Sequence, residues 1–161
     1  MSTKTFTVAE ANRLIPILET VLESIGQKMR QVETAAEKLH ILDVLWGDRV
    51  LAPDNPDHAE SQQLRLQMAI LLRQIEDIVT REIDGRGLRF PQGGLEHGLI
   101  DFPTTWQARE VLLCWKRGEP RIEAWHEVHA GFAGRQSLTS EQVRLMGLAP
   151  DPGRTDRPVD F

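Results

Sequence analysis

Apolar residues in the first half of the chain recur at steps of three and four, which is the spacing of a helical seam. A first helix is predicted to begin after Thr7, because Thr7 and Glu10 have the spacing of a capping box. Pro16 lies within this helix and predicts a kink there, or a short first helix that ends where Pro16 opens the next. The seam consists of Ala11, Ile15, Leu18, Leu22, Ile25, Met29, Val32, Ala36 and Leu39.

A second helix is predicted from Pro56 to Asp84 with Asn55 as its N-cap, since asparagine is favoured at that position and proline at the first helical one. The two helices are similar in length and a short linker joins them. Residues 8–84 are therefore predicted to form a long antiparallel helical hairpin with coiled-coil packing. The second seam consists of Leu64, Met68, Leu71, Ile75 and Ile78, widened by Leu72, Val79 and Ile83.

Glycines and prolines replace the helical period from Gly85 onward, and short strands explain the pattern better. Residues 85–136 are predicted to form a small antiparallel β-meander that packs on the hairpin. The segment Glu110–Trp115 is almost continuously apolar, so it is predicted to be a strand that is buried on both faces. The other predicted strands are Leu88–Phe90, Gly98–Phe102 with Pro103 at its end, and Arg121–Glu127.

A short helix is predicted after the meander, within residues 137–149. Thr139 and Gln142 again have the spacing of a capping box, and Gly147 is suited to end a helix. The helix is therefore predicted to span Ser140–Met146.

The order of helices and strands predicts the α+β class. Residues 1–161 are predicted to form a single domain, because a chain of this length is ordinarily one domain and can bury a hydrophobic core. Residues 150–161 contain three prolines and little to bury, so they are predicted to be a flexible tail.

The charge of the chain argues against two classes of partner. Residues 1–84 hold 9 Lys/Arg against 14 Asp/Glu, and the remaining residues hold 10 of each. Neither half has a basic stripe that would neutralise phosphates, so no nucleic-acid partner is predicted. No membrane association is predicted either, because the helices lack a basic polar face and no apolar run is long enough to span a bilayer. The single cysteine, Cys114, indicates a reducing compartment, and the cytoplasm is the predicted location.

Four residues of the meander are candidate ligands of a divalent metal: Cys114, His126, Glu127 and His129. Thiolate, imidazole and carboxylate are the groups that bind zinc or iron in proteins. The two histidines are three residues apart and do not match the metalloprotease motif, in which they are four apart. A structural role for Cys114 and His126 is therefore favoured over metal binding, and a Cys114–His126 nucleophile–base pair is a weaker hypothesis.

A second candidate group, for a small-molecule ligand, consists of Asp101, Glu119, His126 and Arg135. The loop Gly131–Arg135 has the residue types of an anion cradle. It lacks the strand and helix that flank a phosphate loop, however, so a plain turn with Arg135 paired to Asp101 or Glu127 is favoured. No cofactor is identified, and a divalent metal is the candidate.

Several blocks of the sequence carry a resemblance to a known family. Between Phe6 and about Leu138 the chain resembles an uncharacterised bacterial family, domain of unknown function 2203. The family has no established activity, so the resemblance implies neither a reaction nor a ligand. The blocks are Phe6–Pro16, Gly98–Pro103, Leu113–Pro120, Trp125–Glu127 and Gly131–Gln136.

Two functions from different classes fit these observations. The favoured one is a non-catalytic protein-interaction or scaffold module, whose acidic hairpin meets another protein or pairs with a second copy in a homodimer. The alternative is a metal- or small-molecule-binding protein, or an enzyme, with its site on the C-terminal module. The two differ in whether Asp101, Glu119, His126 and Arg135 converge on a cavity or pair with one another.

Overall fold

A computed structural model describes residues 4–148 of the protein, and it confirms the α+β class. The predicted tail, residues 150–161, lies outside the described residues. The helices are α1 (Val8–Trp46), α2 (His58–Ile78), α3 (Gly94–His97) and α4 (Ser140–Leu145); the strands are β1 (Leu99–Trp106), β2 (Arg109–Lys116), β3 (Ala124–Glu127) and β4 (Gln136–Ser137).

The chain divides into two compact units. The hairpin unit spans Pro16–Arg86, and the sheet unit comprises residues 4–15 and 87–148 of the described chain. The packing of the meander on the hairpin stays a prediction. No helix in the described part of the chain has both the length and the apolar character needed to cross a membrane.

The hairpin unit contains the predicted antiparallel pair of helices. Lys28 of α1 hydrogen-bonds Gln74 of α2 at 3.1 Å, and Asp43 of α1 pairs with Arg65 of α2 at 3.4 Å. Because the residue number of the α2 partner falls as that of the α1 residue rises, the two helices run in opposite directions. The buried apolar cluster between them consists of Ala35, Leu39, Leu42 and Leu64, with Trp46, Val50 and Met68 packed against it.

Helix α1 begins as predicted but is not interrupted at Pro16. The Glu10 amide donates to Thr7 Oγ1 at 3.1 Å and the Thr7 amide to Glu10 Oε1 at 3.3 Å, so the capping box is formed. The helix then runs for 39 residues with Pro16 inside it, which excludes a separate short first helix. A kink at Pro16 stays a prediction.

The prediction for the start of α2 was wrong by two residues. The Asn55 side chain accepts a hydrogen bond from the Asp57 amide at 2.8 Å, which forms a turn before the helix instead of capping it. The helix begins at His58 and is α-helical to Ile78, after which π and 3₁₀ turns continue to Arg86. The chain therefore stays helical over the predicted range, although the regular α-helix ends at Ile78.

The sheet unit contains a four-stranded antiparallel meander in the order β1-β2-β3-β4. Strand β2 is buried from Val111 to Trp115, as predicted for a central strand. The predicted capping box of α4 is also confirmed, with Thr139 and Gln142 bonded to each other's backbone amides.

Pro103 does not end β1, contrary to the prediction. Strand β1 lies at one edge of the four-stranded sheet, and proline is tolerated there when its missing N–H would point away from the neighbouring strand. The Pro103 carbonyl accepts a hydrogen bond from the Phe6 amide at 2.8 Å, so this residue turns its backbone groups away from β2.

The other predicted strands lie where the sequence analysis placed them, but their lengths differ from those predicted. Leu88–Phe90 contributes a single bridge, in which Arg89 pairs with Asp101. The predicted strand Arg121–Glu127 is reduced to β3, and the short β4 was not predicted.

Candidate metal centre

Three polar side chains lie on one face of the meander because of its register. Asp101 of β1 is directly opposite Cys114 of β2, and His126 of β3 is opposite Leu112. Leu112 and Cys114 are two residues apart on the same strand, so their side chains point to the same face. The register therefore brings together residues that are far apart in the sequence.

Asp101, Cys114 and His126 form a compact group of metal-ligand atoms. The Cys114 Sγ atom, a carboxylate oxygen of Asp101 and an imidazole nitrogen of His126 all lie within 4.8 Å of one another. The three residues are 2%, 1% and 1% exposed, respectively. A buried polar group must be hydrogen-bonded or must coordinate a metal, because otherwise its desolvation is not compensated.

One hydrogen bond of His126 shows that its ring nitrogen Nδ1 carries a proton. Its Nδ1 lies 2.8 Å from the Glu127 carbonyl oxygen, which can only accept, so Nδ1 carries a proton and donates it. Its Nε2 lies 3.0 Å from Asp101 Oδ1. One proton shared between these two atoms makes a hydrogen bond there, whichever of the two atoms carries it.

Burial governs the electrostatics of this group. It raises the pKa of the Asp101 carboxyl above its usual value, although the hydrogen bond from His126 acts in the opposite direction. Burial and the adjacent Asp101 charge raise the pKa of the Cys114 thiol to about 12. At neutral pH the thiol is therefore protonated, and it hydrogen-bonds the Asp101 carboxylate.

This geometry argues against the Cys114–His126 nucleophile–base pair. A general base must present a free ring nitrogen to the thiol. Both ring nitrogens of His126 already have partners, which are the Glu127 carbonyl and Asp101. The thiol contacts Asp101 instead, and its raised pKa disfavours the reactive thiolate.

Glu119 and Arg135 form a second pair beside this group. Arg135 Nη2 lies 2.5 and 2.6 Å from the two Glu119 carboxylate oxygens, and 3.4 Å from the Cys114 carbonyl oxygen. The Lys116 amide donates to Glu119 Oε1 at 2.6 Å, which holds the carboxylate in place. The expected pairing of Arg135 with Asp101 or Glu127 was therefore wrong.

Glu127 and His129, the other two predicted metal ligands, lie apart from this group. The Glu127 side chain forms an ion pair with Arg109, which lowers the pKa of the Glu127 carboxyl. His129 is exposed in the turn that follows β3. Within residues 4–148, the group of metal-ligand side chains is limited to Asp101, Cys114 and His126.

The four residues predicted to bind a small ligand form two separate pairs, Asp101 with His126 and Glu119 with Arg135. These four residues pair with one another instead of converging on a cavity, and such pairing agrees with the interaction-module hypothesis. Cys114 joins the Asp101–His126 pair, so three groups of the types that bind metals lie together. Cys114 and Asp101 were predicted as members of different groups, and only the strand register relates them.

Comparison with known proteins identifies a family but no activity. The family described as "Uncharacterized conserved protein (DUF2203)" matches residues 4–138, which is most of the chain. No curated protein and no solved structure matches the chain. The family description does not say what its members bind or catalyse, so a function has to be argued from the site itself.

Proposed function

Because the chain belongs to the family of uncharacterized conserved proteins DUF2203, whose description gives no activity, we propose from the site alone that it is a zinc-binding protein. Asp101, Cys114 and His126 are the proposed ligands. The observation that carries the proposal is the meeting of a carboxylate, a thiol and an imidazole, with all three ligand atoms within 4.8 Å of one another. These are three of the ligand types that zinc prefers.

The second hydrogen bond of His126 supports this assignment. Histidine ligands of metals almost always donate their other ring N–H to a carbonyl or a carboxylate, which orients the ring. His126 Nδ1 makes this bond with the Glu127 carbonyl oxygen, and Nε2 faces Asp101. A tetrahedral zinc ion places its ligand atoms roughly 3.3–3.7 Å apart, so side-chain adjustments of about 1 Å accommodate it.

Charge balance is also compatible with a divalent ion at this position. An ionised Asp101 and a Cys114 thiolate together carry two negative charges, which neutralise Zn²⁺ in the buried site. Without the ion, one proton between Asp101 and His126 and one proton on the thiol leave the group neutral as well. Zinc uptake is therefore expected to release about two protons for each ion bound.

Metal analysis of the full chain, purified without chelator and freed of any affinity tag, tests the proposal. We expect close to one zinc per chain, with zinc lost or bound at least about tenfold more weakly in Cys114→Ser and Asp101→Asn. His129→Ala is the matched control, because this exposed histidine lies outside the group. Calorimetry in buffers of different ionisation enthalpy measures the proton release.

Wild-type protein that stays metal-free after incubation with excess zinc would refute the zinc proposal. Equal zinc content in the wild type and in Cys114→Ser and Asp101→Asn variants that remain folded would do the same. Such a protein would contain the group only as a hydrogen-bonded part of its core. A reducing compartment keeps the single Cys114 thiol free to bind a metal, so a cytoplasmic location is part of the proposal.

A second candidate function, an interaction module that forms a homodimer, is favoured by exposed apolar residues on α1. Ile41, Val44 and Leu45 are 63%, 73% and 65% exposed. They lie on the side of α1 opposite Leu39 and Leu42, and their spacing of three and four residues is that of helix–helix packing. A second hairpin packed on this face would complete a four-helix bundle.

Light scattering on the eluted protein tests the homodimer. We expect a dimer at micromolar concentration and a monomer for the double variant Ile41→Lys/Leu45→Lys, which places charge in the apolar face. Val143→Lys, at an exposed position of α4, is the control. Since the hairpin is acidic, the dimer should be more stable at high salt, where the repulsion is screened. A wild-type monomer at all salt concentrations would contradict this candidate.

A further inference from the structure

We propose that Arg135 anchors an oxyanion ligand, the carboxylate or phosphate group of a small molecule, whose oxygen also binds the zinc at Asp101, Cys114 and His126. This inference rests on the proposed function. It extends the site from a metal centre to a binding site for an anionic ligand, and it gives Glu119 the role of an internal competitor for Arg135.

The Arg135 guanidinium is next to the strand segment that carries the thiol. Its Nη2 donates to the Cys114 carbonyl oxygen at 3.4 Å. The Arg135 and Glu119 side chains are 19% and 22% exposed, whereas those of His126 and Asp101 are 1% and 4% exposed. The Glu119–Arg135 pair is therefore the solvent-accessible part of the site.

Arg135 is already arranged to bind a carboxylate. Its Nη2 contacts both oxygens of Glu119, which is itself an oxyanion. Its Nε is buried and has no hydrogen-bond partner among the described residues. An unpaired buried donor is unfavourable, so an arriving anion that accepts from Nε would gain a charge-assisted hydrogen bond. Arginine suits this role, because its planar guanidinium binds carboxylates and phosphates through two parallel bonds.

The metal centre provides the second attachment point. Three protein ligands leave one position of a tetrahedral zinc ion open, and such open positions bind water or an anionic ligand. Arg135, whose Nη2 lies 3.4 Å from the Cys114 carbonyl oxygen, places a positive charge beside the site, and a positive charge there favours an anion over water.

Cobalt-substituted full-length protein provides the test, because the visible absorption of bound Co²⁺ reports changes in its ligands. Acetate and inorganic phosphate are titrated separately as probes. We expect either anion to change the Co²⁺ spectrum of the wild type, and the apparent affinity to fall at least about tenfold in Arg135→Gln, as loss of a charge-assisted bond predicts. Arg121→Gln, which removes an exposed arginine paired with Glu123, is the control and should behave as the wild type does.

Glu119→Gln gives an effect in the opposite direction, which a merely structural role for the pair would not produce. The glutamine oxygen can still accept from the Lys116 amide, but its neutral side chain releases Arg135. The anion affinity should therefore rise several-fold, by about 3–10-fold for the loss of one competing charge. Cobalt stoichiometry should be the same in the wild type and in both variants, which separates anion binding from metal binding.

The outcomes distinguish this inference from the zinc proposal. If cobalt binds but neither anion changes its spectrum, or if Arg135→Gln responds as the wild type does, the anion inference is wrong and the metal site stands. If Glu119→Gln weakens anion binding, the competitor role of Glu119 is wrong and the inference falls. If no cobalt binds at all, both proposals fail together.

Discussion

Alanine at Gly147 should lower the free energy of unfolding of the sheet unit by about 2–5 kcal/mol. Gly147 follows α4 with φ at +77°, and an added Cβ would lie 2.1 Å from the Phe6 carbonyl oxygen and 3.0 Å from Thr104 Oγ1. The left-handed backbone costs about 1–2 kcal/mol for a residue with a Cβ. Forced overlap in a packed region adds about 1–3 kcal/mol.

The overlap involves atoms that are fixed by other bonds. The Phe6 amide donates to the Pro103 carbonyl at 2.8 Å, Thr104 Oγ1 donates to the Phe6 carbonyl at 2.7 Å, and the Gly147 amide donates to the Thr105 carbonyl at 3.0 Å. Neither Phe6 nor the backbone of Gly147 can shift without breaking one of these bonds. Phe6 is also buried, with its ring edge-on to Phe102 at 5.6 Å between centroids.

Gly118→Ala is the matched control for Gly147→Ala. Gly118 has φ at +99°, but a Cβ there would meet no heavy atom within 4 Å. It should therefore show only the backbone effect, about 1–2 kcal/mol. Urea unfolding followed by tryptophan fluorescence measures both variants. Equal losses for the two glycines would show that the close approach to Phe6 does not constrain the fold.

The helices could be predicted from the sequence because their signals are local. Capping boxes join residues three apart, and a helical seam repeats within a few residues, so Thr7, Glu10 and Thr139 were sufficient to locate helix starts. The start of α2 was misplaced for the same reason. Asn55 can cap a helix or form a turn before it, and which of these occurs depends on more than the local pattern.

The sequence indicated which types of residue form the candidate site, but not which of these residues meet in the fold. Asp101, Cys114 and His126 were each identified as polar residues with ligand chemistry. Their association depends on which residues of β1, β2 and β3 lie opposite one another, and a shift of one residue would move a side chain to the other face. Glu119 and Arg135 meet through a turn and an irregular segment, for which sequence periodicity gives no information.

Removing one member of the buried Asp101–His126 pair should be as severe as the change at Gly147. His126→Leu leaves the Asp101 carboxylate buried without its main partner, and loss of one partner of a buried pair typically costs about 3–5 kcal/mol. Asp101→Val should also be destabilising, because Nε2 of the buried histidine loses its partner. These losses are measured on metal-free protein, so that they report hydrogen bonding and packing alone.

The double variant Asp101→Val/His126→Leu separates the stability of the pair from its proposed function. Replacing both partners by apolar residues removes the unpaired buried groups, so the double variant should be more stable than His126→Leu alone. Its unfolding free energy should not respond to zinc, whereas the wild type should gain about 2.7 kcal/mol at a zinc concentration of 100 Kd. A double variant that loses the sum of the two single effects would show that Asp101 and His126 are not energetically coupled. If the pair is coupled and zinc stabilises only the wild type, the Asp101–His126 pair contributes to the fold, and the same two side chains supply ligands to the ion.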